Sequence, residues 1–192
     1  MSLLYLGLVH HPIYNKNSEI VATAVTNFDI HDIARASRTY GVRRYFIIHP
    51  LDSQLELVDE VLGYWRQGYG AAYNPDRCDA LSVVQTARSI AECTKLIEQE
   101  HGKSPYVVTT DARQFANSIS YRALRAKLET QARPCLLLFG TGWGIERTVM
   151  EQFDYILEPV LGSGDYNHLS VRSAVSIILD RLAGEAWWQR QE

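Results

Sequence analysis

Four short runs of consecutive apolar residues constrain this chain most: LLYLGLV at 3–9, YFII at 45–48, YVV at 106–108 and CLLLF at 135–139. A strand with one wet face alternates apolar and polar residues, whereas a strand covered on both faces has no need to. The runs do not alternate, and segments of helical period separate them, which is the pattern of βαβ units. The expected strands are 3–9, 45–48, 81–86, 106–109, 135–139 and 155–160. The expected helices are 29–40, 53–63, 90–101, 121–130, 145–152 and 168–182. Together they predict one α/β domain over 1–192, a mainly parallel sheet with helices on both faces. Ligands in such sheets bind at the carboxyl ends of the strands, so the loops there carry the search for function.

Composition narrows the class. A net charge of −3 over 192 residues argues against a general DNA coat, but leaves room for a local basic surface on an RNA-modifying enzyme. Cys78, Cys93 and Cys135 form no CxxC pair and read as reduced thiols of a cytoplasmic protein. Met1-Ser2-Leu3-Leu4-Tyr5 has no basic region and no cleavage pattern, and no apolar stretch is long enough to span a bilayer. No metal is expected: His10 and His11 are adjacent and point apart, with no carboxylate or cysteine at ligand spacing.

Two segments carry the chemistry. In the first, 135–146, an apolar strand runs into glycines at 140, 142 and 144. Glycine permits positive φ and lets a ligand approach the backbone, so the segment reads as a cofactor loop or, more plainly, as a tight strand-to-helix turn. A dinucleotide fingerprint is a rival, with Glu158 imitating its ribose-binding acid. The spacing, however, is GxGxG, and only about one strand and one helix follow. In the second segment, a strand ends at Pro159. A Gly-Ser-Gly loop and the polar pair Asn167-His168 come next, then an apolar helix. Leu169, Val171, Ala174, Val175, Ile178 and Leu182 give that helix a broad apolar face, suited to the sheet plus a second subunit or to the core alone.

These residues resemble the SPOUT superfamily of RNA methyltransferases, and in particular its tRNA ribose 2′-O-methyltransferase branch. Residues 27–42, with Asp29, Arg35 and Gly41-Val42, are similar to its first motif. Residues 136–145 resemble the glycine-rich second motif; Pro159-Val160-Leu161-Gly162 and His168-Leu169-Ser170-Val171 resemble the third. The order, spacing and late position agree across nearly the whole chain. Asp29 stands where the family has Asn, the second motif is shorter and lacks its Glu, and His168 stands where the third has Asn. A ribose hydroxyl, a base nitrogen or another group therefore all stay open as the acceptor.

The resemblance implies an S-adenosylmethionine-dependent methyltransferase acting on RNA (tRNA or rRNA), a C-terminal trefoil knot, and a homodimer with shared active sites. It assigns the cofactor to Thr110, Phe139, Gly140, Thr141, Gly142, Trp143, Gly144, Glu158, Pro159, Val160, Gly162, His168, Leu169 and Ser170. It assigns the acceptor side to Arg35, Asp29 and His168. The remaining alternatives are an RNA-binding protein of the same fold without transfer, and a nicotinamide-dinucleotide-binding enzyme.

Other residues admit two readings each. Arg35 points away from the Ile30, Ile33, Ala34 and Ser37 face of its helix, as either a surface charge or a substrate or subunit contact. Asp29 is a helix cap or a catalytic group. The loop from His10 to Lys16 and the pair His49-Pro50 are RNA-contacting or ordinary surface loops. Arg113, Arg122, Arg125 and Lys127 are a basic patch or a solvated helix face. Residues 63–70, with Tyr64, Trp65 and Tyr69, are a closing loop or a packed turn. Trp187-Trp188 serve the core or a dimer.

Overall fold

A computed structural model describes residues 3–185. The main strands are β1 (Leu4–Val9), β4 (Arg44–Ile48), β5 (Val84–Ala87), β6 (Tyr106–Thr110), β7 (Ser118–Ile119), β8 (Cys135–Gly140) and β9 (Tyr155–Leu157). They form one sheet in the order β5-β4-β1-β8-β6-β9-β7, with every neighbouring pair parallel. A short antiparallel ribbon, β2 (Ile13–Tyr14) and β3 (Ile20–Val21), follows β1. The helices are α1 (Asn27–Thr39), α2 (Asp52–Arg66), α3 (Tyr69–Tyr73), α4 (Pro75–Leu81), α5 (Ile90–His101), α6 (Tyr121–Thr130), α7 (Arg147–Met150) and α8 (Val171–Ala183).

The absence of alternation in the strands follows from two layers of core. Leu4, Leu6 and Leu8 of β1 pack with Ile30 and Ile33 of α1, Val58 of α2, Leu124 of α6 and Val175 of α8. Tyr5 and Val9, on the opposite face, pack with Cys93 and Ile97 of α5 and Met150 of α7. Helix starts are set locally: Thr26, Ser89, Ser120 and Ser170 each accept the backbone amide three residues on, as good N-caps do.

Several expected boundaries move. The strand expected over 81–86 is β5, shifted to Val84–Ala87, because Leu81 ends a helix begun by the Asn74 cap and Pro75. Residues 63–70 are not a loop: α2 runs through Gly63 to Arg66, and α3 begins at Tyr69. The helix expected over 145–152 shrinks to Arg147–Met150. Strand β9 stops at Leu157, two residues before Pro159, which has no amide for a ladder. Helix α8 starts at Val171, so residues 158–170 cross the site as irregular chain. Val175, Ile178, Leu179 and Leu182 of α8 are buried in the chain's own core, so this face by itself calls for no second subunit. Trp187 and Trp188 lie outside the described residues.

The tightest spot is Gly7 in β1. A Cβ there would stand 2.7 Å from Leu138 Cδ2 and 3.0 Å from Ile48 Cδ1. Gly7→Ala is therefore expected to cost about 1–3 kcal/mol by overpacking. Urea denaturation checks this, and a parental midpoint would mean that both side chains swing aside freely.

Candidate active site

The loops that leave β6, β8 and β9 converge at the carboxyl ends of the strands on one cavity of about 740 Å3. One wall is the loop after β8. Two glycines hold it in left-handed backbone, Gly142 at φ 54° and Gly144 at φ 98°. Strand β2 pins it: the Trp143 amide donates to the Tyr14 carbonyl (3.0 Å) and the Tyr14 amide to the Gly144 carbonyl (2.9 Å). A Cβ on Gly142 would meet Ile13 Cγ2 at 3.0 Å and the Tyr14 carbonyl at 3.2 Å, so this glycine serves the seam with β2. At the mouth, the Trp143 side chain is exposed.

The opposite side holds Asp29. It is the third residue of α1, and its amide donates to the Thr26 hydroxyl oxygen (3.2 Å) while that hydroxyl donates to Asp29 Oδ2 (2.6 Å). Arg172 of α8 reaches Asp29 Oδ1 (3.3 Å) and Asp32 Oδ2 (3.5 Å). Asp29 thus belongs to the cap of α1 and to the cavity wall at once. His168 lies before α8, exposed, edge-on to Tyr166 at 5.4 Å between centroids. Asn167 ties this stretch to the loop after β6 by donating to the Ala112 carbonyl (2.7 Å). In that loop, Arg113 grips Asp111 with two nitrogens (2.9 and 2.8 Å).

Thr110, Phe139, Gly140, Thr141, Gly142, Trp143, Gly144, Val160, His168, Leu169 and Ser170 line the cavity together with Asp29. Glu158, Pro159 and Gly162 do not. The Glu158 carboxylate accepts the Tyr121 amide (2.7 Å) at the start of α6. Pro159 is buried, and a Cβ on Gly162 would meet nothing within 4 Å. Arg35 is exposed on α1, outside the cavity wall, and makes no hydrogen bond or ion pair among the described residues.

Sequence reasoning missed Ala24, Thr26, Asp111, Ala112, Asn167, Val171, Ala174 and Ile178 as lining residues. Asp111 and Ala112 directly follow β6, and the carboxyl-end rule points to them. No local signal marks Thr26.

The basic patch is largely committed within the chain. Arg125 donates to the Arg181 and Gly184 carbonyls (3.2 and 2.9 Å), Lys127 lies over the Tyr155 ring, and of these four residues Arg122 alone stays exposed with no hydrogen bond or ion pair to the described residues. Nor are His10 and His49 surface groups: they are 0% and 1% exposed. Burial, and then the neighbouring His49, push the His10 pKa down to about 4 against the pull of Asp29. Among the described residues, no group of His, Cys, Asp and Glu is arranged to hold a metal, and no helix is long and apolar enough to cross a membrane.

Residues 3–184 match the family model described as SAM-dependent RNA methyltransferase. The chain belongs to this family. A protein of Aquifex aeolicus is 42% identical to this methyltransferase over 179 residues, 93% of the chain and 87% of its own length. A tRNA (guanine-N(1)-)-methyltransferase of Oleidesulfovibrio alaskensis is 43% identical over 183 residues, 95% of the chain. The methyltransferase chain spans only 42% of that relative's length. Among solved structures, the Streptomyces viridochromogenes SpoU methyltransferase AviRb, in complex with AdoMet, superposes with a TM-score of 0.56 at 14% identity, over 95% of this chain and 57% of that one. The Aquifex aeolicus TrmH/SpoU tRNA modifying enzyme gives 0.55 at 15% identity, over 95% and 75%. These likenesses establish the SpoU-type fold.

Two outcomes are expected. Gly142→Ala places a methyl on left-handed backbone, at about 1–2 kcal/mol of strain, and loosens the loop from β2. Its affinity for S-adenosylhomocysteine should fall severalfold in calorimetric titration; parental affinity would show that the loop's shape is immaterial. The second concerns pH. The folded chain holds His10 neutral down to about pH 4, while the unfolded chain protonates it near the ordinary histidine value of 6.5. The unfolded state therefore binds more protons between these values, and stability is lost as pH falls through that window. Thermal melts should show a shallower loss for His10→Asn than for the parent, and parallel curves would refute the assignment.

Proposed function

We propose that the cavity beside the glycine loop binds S-adenosylmethionine, and that methyl transfer to an RNA nucleotide takes place on its Asp29 and His168 side. One observation carries this reading: the glycine loop, Val160, the 168–170 segment and Asp29 line a single cavity at the carboxyl ends of a parallel sheet. The residues fit such a donor. Glycines 140 and 144 present bare backbone, while Val160, Ala174 and Ile178 present apolar surface for flat or aliphatic parts of the ligand. The donor supplies an already activated methyl group, so the protein's task is to position donor and acceptor in line. Asp29, oriented by Thr26 and Arg172, is the group to take the acceptor's proton, and His168 stands on the same side of the cavity. Arg35 serves RNA phosphates or, in a homodimer, the partner's cavity.

The dimer is proposed through the apolar residues exposed around the mouth: Phe28, Leu161, Tyr166 and Leu169. Light scattering at micromolar concentration tests it. The trefoil knot follows from the family reading and is tested by a crystallographic trace of residues 135–185. The assignment to tRNA or rRNA draws on the tRNA methyltransferase names of relatives that extend well beyond the matched region. A cytoplasmic setting agrees with three unpaired cysteines, two of them buried.

Transfer of a labelled methyl group to bulk RNA, followed by nucleoside mass spectrometry, tests the activity and names the acceptor. Asp29→Asn keeps the size of the side chain and should lower the rate about 10²–10⁴-fold, the usual worth of a general base. Arg35→Ala should also slow transfer, with stability changed by less than about 0.5 kcal/mol, as for a surface residue. Parental rates for Asp29→Asn would remove the carboxylate from the chemistry.

A further inference from the structure

One part-buried hydrogen-bond chain joins the two sides of the cavity, and its proton positions follow from donor and acceptor counting. The Thr141 hydroxyl donates to the Val9 carbonyl (3.1 Å), an atom that only accepts. Its oxygen lies 2.5 Å from the Thr23 hydroxyl. The one proton of Thr141 is engaged, so Thr23 donates to it. The proton of Thr23 is then engaged too, so His10 Nδ1, 3.0 Å from Thr23 Oγ1, is the donor there. His10 is therefore the Nδ1–H tautomer, and its Nε2 is a bare acceptor, buried with no partner among the described residues.

The other imidazole obeys the opposite requirement. His49 Nε2 lies 3.1 Å from the Thr23 carbonyl, which only accepts, so Nε2 carries the proton. His49 Nδ1 in turn accepts the Leu51 amide (3.0 Å). The Thr23 amide donates to the His10 carbonyl (2.9 Å). Thr23 is thus held at its amide, carbonyl and hydroxyl by residues at the ends of two adjacent strands. The chain continues from Thr23 into Ala24, Thr26 and Asp29 on the cavity wall, while Thr141 belongs to the glycine loop on the same cavity.

We propose that His10 and His49, in opposite tautomers, are positioning residues that clamp Thr23 and so set the distance between the glycine loop and the Asp29 segment. They touch neither donor nor acceptor, and they act through Thr23 and Thr141. The proposal rests on the reading of this cavity as the S-adenosylmethionine site. It gives the histidines after β1 and β4 a role quite different from contact with RNA.

The decisive measurement uses the full chain. Long-range ¹⁵N–¹H correlation spectra of the imidazoles should show His10 protonated at Nδ1 and His49 at Nε2 at neutral pH; either ring in the other tautomer overturns the clamp. Calorimetric titration with S-adenosylhomocysteine gives the functional readout. Thr23→Val should weaken binding by about tenfold, the worth of one well-placed hydrogen bond. Thr23→Ser should restore it, and His10→Asn, which keeps an N–H near the same place, should bind as the parent does. Thr141→Val breaks the far end of the chain and should match Thr23→Val, which keeps the test open if the latter does not fold. A Thr23→Val protein that melts lower yet binds as tightly as the parent would reduce the clamp to a structural element. Failure of the parent itself to bind S-adenosylhomocysteine would instead overturn the cavity's assignment, and the proposal with it.

Discussion

The parallel pairing of β1 with β8 is the constraint on which the rest of the structure depends. Their register sets Val9 opposite Gly140, so the segments leaving the two strands emerge side by side. Only for that reason can β2, which follows β1, form a seam with the glycine loop that follows β8. Slippage is costly because both faces are buried. Leu137 and Leu138 belong to different core layers, and a shift of one residue would exchange them. The geometry of the loop is thus inherited from the packing of the core beneath it.

The legible parts of the fold were those whose signal is local and long enough to repeat. Runs such as 3–9 and 135–139 announce strands covered on both faces, and the capped helices at 90–101 and 121–130 begin where their sequence says. Two-residue strands such as β2, β3 and β7 have no period to detect, and the VQTA of β5 is half polar at the edge of the sheet. Within the site, the glycine loop was legible because three alternating glycines at the end of an apolar strand favour positive φ, which Gly142 and Gly144 adopt, and start no stable helix. Glu158 was not, because its nearest partner is a helix start 37 positions away in the chain. His10 and His49 each directly follow an apolar strand, next to a His-Pro or Pro step, and read as the start of a surface loop. Their burial is decided by the adjacency of β1 and β4, which no window of sequence contains.

On the proposed function, a carboxylate beside a bound polyanion poses an electrostatic problem. Asp29 and Asp32 sit one turn apart on α1, and the guanidinium of Arg172 bridges both while lying over the Phe28 ring. The bridge offsets the two negative charges at the cavity wall. The acid at position 29 is thereby paired with an arginine of α8, 143 positions further along the chain.

The cavity takes its walls from Ala24 at one extreme and Ile178 at the other. Between them lies most of the polypeptide, so the site exists only when distant stretches have found each other. During synthesis on the ribosome, β1 and the ribbon after it emerge long before their partners and must wait, with apolar faces open, until β8 has been made. A chain halted just short of α8 would possess the whole central sheet and the glycine loop, yet would present an open trough where the finished protein has a chamber. The cavity is therefore closed only once α8 has been made, because Val171, Ala174 and Ile178 form part of its wall.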